Sequence, residues 1–265
     1  MNLTEVSWTD VRDTEPDVAL CPVGSTEQHG PHAPLGTDAL NAVAVAEAAD
    51  DRLAGDEDAP TAVVAPPVHV GVAEEHRAFD GTLWVSPDTF RAYVRETLES
   101  LAFHGIDRAV LVNGHGGNVA ALAEVARRVS RRAGTDASAV SAGETVSGES
   151  TTEPDPYAVA FTWFEAVGDH SGDMGHAGPL ETALVRHVHP ELIHEDRVET
   201  AAEGAASGWG DWVRGVNLAH DSHEFTENGV VGDPRAGNAE RGGKLLDLAT
   251  AALCEVVEAV VTRER

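Results

Sequence analysis

Short apolar runs alternate with longer amphipathic segments, and this alternation constrains the fold more than any other feature of the chain. Three apolar runs have the length and flanking loops of buried strands: 17–23, 61–68 and 108–114. Each is followed by a segment with the apolar spacing of a helix: 37–54, 86–105 and 119–134. This order favours a mostly parallel sheet with helices on both faces. The sequence therefore predicts an α/β fold with three layers, α/β/α, formed by a single domain over residues 1–265.

The second half of the chain continues this pattern with longer loops. Segment 137–144 is a candidate fourth strand, and the apolar segment 158–167 fits either a strand or a helix. Two further helices are predicted at 180–193, as far as Pro190, and at about 237–263. For the helices of the first half, the sequence predicts Thr37 or Asp38, and then Ser86, as N-terminal caps.

The charge balance excludes one class of partner. The chain has 45 acidic and 18 basic residues, a formal net charge of −27, and Lys244 as its single lysine. Such a surface repels phosphate backbones, so we expect no nucleic-acid partner. An acid-rich, lysine-poor composition is typical of proteins from salt-loving organisms, because concentrated salt screens the repulsion between like charges.

Apolar runs and cysteines indicate the cell compartment. No run of about 18 apolar residues is present, so we expect no membrane span. The polar, acidic start lacks the basic and apolar parts of a signal peptide, and we expect a cytoplasmic protein. Cys21 and Cys254 form no CxxC pair, which argues against a cysteine metal site or a disulfide framework.

Two polar loops directly follow predicted strands, and both contain side chains that bind protons or metals. The first, GSTEQHGPHAPLGTD (24–38), contains Glu27, His29 and Asp38, and the second, NGHGGN (113–118), contains His115. Ligands of open parallel sheets bind beyond the carboxyl ends of the strands, so both loops are expected at one edge. A later segment, GHAGPLETA (175–183), adds Glu181 and also offers a histidine.

Two histidines and three carboxylates exceed what one zinc ion needs. They suit two divalent ions that share a bridging carboxylate, for which the short Asp38 is the best candidate. Nitrogen and oxygen ligands without sulfur admit Zn, Mn or Fe. The alternative is that these residues serve turns and the helix start.

Four motifs in this order resemble the creatininase (creatinine amidohydrolase) family: PVGSTEQHGPHAPLGTD, EEHRAFDGTL, NGHGGN and GHAGPLETA. The resemblance covers about residues 17–242. It implies an α/β domain, a dinuclear metal centre and hydrolysis of a non-standard amide or cyclic C–N bond. It also implies a homo-oligomer, usually a hexamer.

The resemblance assigns the metal ligands residue by residue. Glu27, Asp38 and His115 would bind one ion, and His29 and Asp38 the other. In creatininase, a glutamate two residues after the histidine of the NGH motif also binds the second ion. That position is Gly117 in this chain, so we expect Glu181 or water to complete the site.

Other residues receive supporting roles. His176 matches the catalytic histidine of the family and is expected to transfer a proton to the leaving nitrogen. Asn118 would orient the substrate or support His115, unless it only forms a turn, and His32 would hydrogen-bond to the substrate or to a ligand. Glu75 and His76 are expected to contact the substrate or a neighbouring subunit.

The choice of substrate depends on where the chain departs from creatininase. Creatininase has a tryptophan four residues before its catalytic histidine, and this chain has Gly172 there. The segment NGVVGDPRAGNAERG (228–242) more closely resembles the branch that contains the mycofactocin-maturation peptidase. We therefore expect a small-molecule or short-peptide substrate, with trimming of a modified peptide first and creatinine hydrolysis second. Formamidopyrimidine deformylation and a non-catalytic metal-binding relative remain as alternatives.

Overall fold

The computed structural model describes residues 1–132 and 156–264. The described strands are β1 (Val18–Val23), β2 (Ala62–Val64), β3 (Arg108–Asn113), β4 (Tyr157–Thr162), β5 (Trp212–Val213) and β6 (Val216–Asn217). The described α-helices are α1 (Trp8–Thr14), α2 (Thr37–Ala54), α3 (Pro87–Phe103), α4 (Val119–Arg132), α5 (Pro179–Val188), α6 (Val198–Glu203) and α7 (Ala239–Thr262). None of these helices is both long and apolar enough to cross a membrane.

One parallel sheet forms the centre of the fold, with strand order β2-β1-β3-β4. Leu20 in β1 is in register with Val64 on one side and with Val110 on the other. Strands β5 and β6 form a separate antiparallel hairpin. The structure confirms the predicted mostly parallel α/β sheet.

Two apolar cores lie on opposite faces of this sheet. Because side chains alternate along a strand, Val18 and Leu20 of β1 pack into one core, while Ala19 and Cys21 pack into the other. The first core also contains buried residues of α2, α5 and α7, and the second contains those of α3 and α4. Each fully buried valine or leucine contributes about 1.5–3 kcal/mol to the stability of this arrangement. The predicted α/β/α layering is therefore confirmed.

Several element boundaries differ from the sequence-based prediction. The second strand ends at Val64 rather than at residue 68, because Pro66 and Pro67 have no N–H to donate to a neighbouring strand. Segment 158–167 forms the end of strand β4 followed by a single helical turn, Trp163–Glu165. The candidate strand at 137–144 lies outside the described residues.

The two predictions of helix caps have different outcomes. Ser86 caps α3 as predicted, since its hydroxyl accepts a hydrogen bond from Thr89 N at 3.3 Å. The prediction for α2 is wrong, because Gly36 is the N-cap and Thr37 and Asp38 are the first two helical residues. The Asp38 carboxylate therefore does not cap its own helix.

Two glycines let the first turn of α2 approach the ends of the strands closely. A Cβ on Gly24, just after β1, would lie 2.3 Å from Ala39 N. A Cβ on Gly114, just after β3, would lie 2.2 Å from the carbonyl oxygen of Asp38. Only glycine fits at such distances. This packing places Asp38 between the two polar loops that follow β1 and β3.

Candidate metal centre

Five side chains from three separate segments meet at the carboxyl edge of the sheet, and each is less than 5% exposed: Glu27, His29, Asp38, His115 and Glu181. His115 Nδ1 lies 3.1 Å from Asp38 Oδ2 and 3.2 Å from Glu27 Oε1. His29 Nε2 lies 3.0 Å from Asp38 Oδ1 and 3.8 Å from Glu181 Oε2. Asp38 thus presents one carboxylate oxygen to each histidine, and the structure brings all five predicted ligands together.

Backbone carbonyls set the orientation and tautomer of three histidines. His29 Nδ1 donates to the carbonyl of Glu27 at 3.1 Å, and His115 Nε2 donates to that of Val72 at 2.8 Å. His176 Nε2 donates to the carbonyl of Gln28 at 2.6 Å. A carbonyl oxygen only accepts, so these nitrogens carry the hydrogen and the opposite nitrogen of a neutral ring has a free lone pair.

The lone pairs of these histidines face the carboxylates, which is the arrangement of histidines that bind metals. Glu27 Oε1, Glu27 Oε2 and Asp38 Oδ2 are buried without a hydrogen-bond partner. Lone pairs and buried carboxylates repel one another unless a proton or a cation lies between them. The orphaned acceptors and the nitrogen and oxygen donors therefore fit divalent cations.

The pKa values of the site show the same need for positive charge. Burial raises the pKa of Glu27 and raises that of Glu181 to about 8. Burial opposes the charged form of His29, but Asp38, Glu181 and Glu27 together outweigh it and raise the pKa of His29 to about 10. The pKa of His115 is likewise raised, by Glu27 and Asp38 against the effect of burial. A bound cation would supply the charge that these groups otherwise take from protons.

Among the residues that the structure describes, ligand-capable atoms come within 4.8 Å of one another in three groups. One group is Glu27, Asp38 and His115, which is the first ion site that the resemblance assigns. A second contains His29 and Glu181, the candidate replacement ligand, together with His176. The third joins Glu27 and His176 to His76, which is 1% exposed.

Buried amides and one further histidine hold the loops in place. Asn118 Oδ1 accepts from Val72 N at 2.9 Å, and its Nδ2 donates to the carbonyl of Gly24 at 3.0 Å. Asn113 Nδ2 donates to the carbonyl of His115 at 2.9 Å. His32 Nε2 lies 2.9 Å from Thr182 Oγ1, next to Glu181 in α5. These contacts fix the backbone on which the candidate ligands lie.

A cavity of about 780 Å³ opens beside the cluster. His115, His176 and Glu181 form its metal-side wall, and Glu75 and His76 line it next to them. Trp209 and Arg241 also line the cavity, and neither was singled out from the sequence. The Trp209 ring centroid lies 5.6 Å from that of His76 and 6.1 Å from that of His176. Arg241 had an indirect signal, because it lies in the motif at 228–242, whereas Trp209 had none.

Gly117 occupies a position where no side chain fits. A Cβ there would lie 2.2 Å from the carbonyl oxygen of Val72, 2.5 Å from His115 Nε2 and 2.9 Å from Glu75 Oε1. The space next to Gly117 is thus filled by the Val72 carbonyl and the Glu75 carboxylate. The glutamate of the NGH motif is absent here because this loop packs differently. In this chain Glu75 instead approaches His115 Nε2, to 4.0 Å.

Comparisons with known proteins show which family this chain resembles. The Creatininase family profile, described as creatinine amidohydrolase, matches residues 4–257. A mycofactocin precursor peptide peptidase from Mycobacterium ulcerans is 33% identical over 228 residues, which are 85% of this chain and 78% of that protein. A creatinine amidohydrolase from Pseudomonas putida is 30% identical over 189 residues, 68% of each protein.

A solved structure shares the fold over nearly its whole length. The structure named "Creatininase Mn" superposes with a TM-score of 0.75 at 21% identity and covers 99% of both chains. The family match over residues 4–257 and the peptidase relative, which exceeds 30% identity, decide the assignment. This chain belongs to the creatininase family and is a hydrolase that acts on amide bonds.

Proposed function

We propose that the protein is a dinuclear metal-dependent amidohydrolase that removes a short C-terminal segment from a modified peptide. The observation that carries the proposal is the buried Asp38 carboxylate, which faces His29 Nε2 with one oxygen and His115 Nδ1 with the other. A carboxylate shared in this way suits two neighbouring cations.

The chain offers ligands for two ions. Glu27, Asp38 and His115 would bind one ion, and His29, Asp38 and Glu181 would bind the other, with Zn, Mn or Fe as candidates. When bound, the ions supply the positive charge that activates water and polarises the carbonyl group of the substrate. The manganese named for the similar creatininase structure supports this choice of metals.

His176 is positioned to transfer a proton. Its Nε2–H is engaged by the Gln28 carbonyl, so Nδ1 is free to accept a proton from water and deliver it to the leaving nitrogen. Burial lowers the pKa of His176 well below its usual range, and His76 and His29 lower it further, which keeps the ring neutral as a proton acceptor must be. The charge of Asp38 raises the pKa of His176, but the other effects outweigh it.

The shape and charge of the cavity support a peptide substrate. Its volume of about 780 Å³ lies within the usual range of ligand pockets and exceeds what creatinine needs. Gly172 lines the cavity, so the residue that takes the place of creatininase's tryptophan provides no ring to stack on a small heterocycle. The peptide-processing relatives support the same substrate class.

Arg241 is a candidate partner for the carboxylate at the end of a peptide. It is the one guanidinium among the described residues that line the cavity. Its Nη2 donates to Asp173 Oδ2 at 2.5 Å, and its Nε has no partner. Guanidinium groups bind carboxylates with planar, charge-assisted hydrogen bonds. Asp173 is 58% exposed, so water can solvate its carboxylate when a substrate carboxylate takes its place on Arg241.

Creatinine hydrolysis is the second candidate function, and the Pseudomonas putida relative supports it. Deformylation of a formamidopyrimidine and metal binding without catalysis are weaker alternatives. The free Nδ1 of His176 beside the cluster argues against a non-catalytic role, since a binding protein does not need a proton acceptor there.

Product analysis by mass spectrometry tests the proposal. The protein is incubated in high salt with Zn or Mn and a panel of creatinine, a formamidopyrimidine and a peptide with a modified C-terminal dipeptide. We expect release of the dipeptide and no change in the other two compounds. Creatine formation would instead identify a creatinine amidohydrolase, and no product from a protein with confirmed bound metal would favour the non-catalytic alternative. The matched control is His176→Ala, which should keep the metal and lose turnover.

We also propose that residues 1–265 form one domain, and the family match over residues 4–257 supports this proposal. A homo-oligomer, with the hexamer as the first expectation, is supported by large apolar side chains left exposed, such as Trp84 and Tyr93. Light scattering coupled to size-exclusion chromatography measures this state directly. A cytoplasmic, high-salt environment stays a prediction from the composition.

A further inference from the structure

The carboxamide of Gln28 has only one possible orientation. Its Oε1 accepts from the backbone N–H of Gly30 at 2.9 Å, and an N–H group can only donate. Its Nε2 donates to the carbonyl oxygen of Gly229 at 3.0 Å, and a carbonyl can only accept. If the oxygen and nitrogen of this amide were exchanged, a donor would face the N–H of Gly30 and an acceptor would face the carbonyl of Gly229. The second hydrogen of Nε2 must therefore point to its remaining neighbour.

That neighbour is His76 Nδ1, at 2.9 Å from Gln28 Nε2. Because the amide nitrogen is a donor, Nδ1 must be the acceptor and has no hydrogen. The Ser222 hydroxyl lies 3.1 Å from the same Nδ1 and donates to the carbonyl of Glu75 at 3.0 Å. A neutral imidazole has one hydrogen, which in His76 is consequently on Nε2.

This tautomer distinguishes His76 from the other histidines of the site. His29, His115 and His176 each donate outward to a carbonyl and turn a lone pair toward the carboxylates. His76 accepts from outside and turns an N–H inward, with Nε2 at 3.4 Å from Glu27 Oε1. A nitrogen that carries hydrogen cannot bind a metal, so His76 is excluded as a ligand although its atoms lie within the distance of a metal group.

The position of His76 suits a donor to the reacting group. Its ring stacks on that of His176 with centroids 4.2 Å apart, and both rings line the cavity. Trp209 packs edge-on against the His76 ring from the cavity side. A donor next to the proton acceptor can reach the carbonyl oxygen of an amide whose leaving nitrogen faces His176.

We propose that His76 is a catalytic residue that does not bind metal: Gln28 holds it as the Nε2–H tautomer, and this N–H stabilises the negative charge that develops on the substrate carbonyl oxygen. Gln28 is the positioning residue for this donor. The role toward substrate rests on the proposed function, whereas the tautomer and the absence of metal ligation do not.

Two variants of His76 separate a donor from a ligand. In His76→Gln the side-chain amide can place an N–H near the position of Nε2, whereas the shorter amide of His76→Asn reaches only the position of Nδ1. We expect both variants to bind as much metal as the wild type. His76→Asn should lower kcat about 100-fold with little change in KM, as for loss of one donor to an oxyanion, and His76→Gln should recover part of that loss. The exposed His104→Gln serves as the control for substitution alone.

Nitrogen NMR of the zinc-loaded protein labelled with ¹⁵N-histidine tests the tautomer without any substrate. We expect His76 Nδ1 to resonate as an unprotonated nitrogen and Nε2 as a protonated one. The pair of signals that is missing from the spectrum of His76→Gln is assigned to His76. Nδ1 protonation in the wild type, or metal loss in both His76 variants with normal folding by circular dichroism, would overturn the proposal.

These measurements distinguish failure of this inference from failure of the proposed function. If no substrate of the panel is hydrolysed but the NMR shows the Nε2–H tautomer and the His76 variants keep their metal, the proposed function has failed and the non-ligating donor stands. If a substrate is hydrolysed at full rate by His76→Asn, the proposed function stands and the catalytic role of His76 is wrong.

Discussion

His29 Nε2 lies 3.0 Å from Asp38 Oδ1, and neither side chain is more than 1% exposed. The neutral ring has one N–H, on Nδ1, and donates it to the backbone carbonyl of Glu27. Nε2 therefore turns a lone pair toward a carboxylate oxygen unless positive charge is added. The pair is therefore incomplete without a proton or a cation. The same holds for the other oxygen of Asp38, which faces His115 Nδ1 at 3.1 Å.

Replacement of Asp38 by asparagine should abolish binding of both ions. The substitution keeps the size of the side chain but removes the negative charge that both ions would share. Metal content is measured by inductively coupled plasma mass spectrometry after desalting. Asp51→Asn, an exposed position on the same helix, is the control and should bind as the wild type does. If Asp38→Asn retains two ions per chain, Asp38 is not the bridge.

Replacement of Glu181 by glutamine should weaken only one ion. Glu181 Oε2 lies 3.8 Å from His29 Nε2, on the side of Asp38 that does not face His115. Isothermal titration with Zn or Mn should show one unchanged and one weaker site. Two unchanged sites would mean that water, rather than Glu181, completes the second site.

A side chain at Gly117 should destabilise the protein instead of restoring a ligand. A Cβ at this position would meet the Val72 carbonyl at 2.2 Å, so the loop must shift to accept even alanine. We expect Gly117→Ala to lower the free energy of unfolding by about 1–3 kcal/mol, the usual cost of overpacking. Gly116→Ala is the matched control, because its Cβ would meet no atom within 4 Å. Equal melting temperatures for the two variants would contradict this account of the missing glutamate.

The metal-free protein should lose stability in mild acid through His32. Burial, with smaller contributions from the charges of His29 and Arg186, lowers the pKa of His32 from its ordinary value of 6.5 to about 4. Between these values the unfolded chain binds a proton that the folded chain does not, so stability falls as the pH falls from 6.5 toward 4. The loss is about 3 kcal/mol at most. Glu181, whose pKa is raised to about 8, contributes a slope of the opposite sign in the wild type and in His32→Asn alike. The test is therefore the difference between the two proteins: in urea unfolding after chelation, the wild type should lose more stability than His32→Asn from pH 6.5 toward 4, and equal slopes would refute the prediction.

Arg241 should matter only for substrates that end in a carboxylate. We expect Arg241→Gln to raise KM by about 10- to 100-fold for a peptide with a free C-terminus, the effect of losing a hydrogen bond to a charged group. A C-terminally amidated peptide should be a poor substrate of the wild type and should be little affected by the variant. Arg235→Gln, at an exposed arginine that pairs with Asp233 and Glu199, is the control. An equal change for both peptides would contradict carboxylate binding.

The order of the elements and the convergence of the two loops were predictable from local patterns. Strand and helix periods show in short windows, and a parallel sheet brings the ends of β1 and β3 to one edge. The N-cap of α2 was mispredicted because Asp38 has the residue type of a cap, whereas its carboxylate faces His29 and His115 in the folded chain.

Contacts between distant parts of the chain were not predictable. The tautomer of His76 depends on Gln28, whose amide is fixed by Gly229 at a separation of 201 residues. The place of Trp209 over the histidines depends on its packing against Phe225, at 5.1 Å between ring centroids, in a segment without periodicity. Neither relationship has a local sequence signal, because each forms only when the loops pack together.

The most direct test of a two-ion hydrolase is to measure metal content and the rate of amide hydrolysis together while metal is returned to the chelated protein. The account predicts no activity without metal, binding of two ions per chain, and a rate that reaches its full value only when the second ion has bound. Full activity in the metal-free protein, or saturation of binding and rate at one ion per chain, would contradict it.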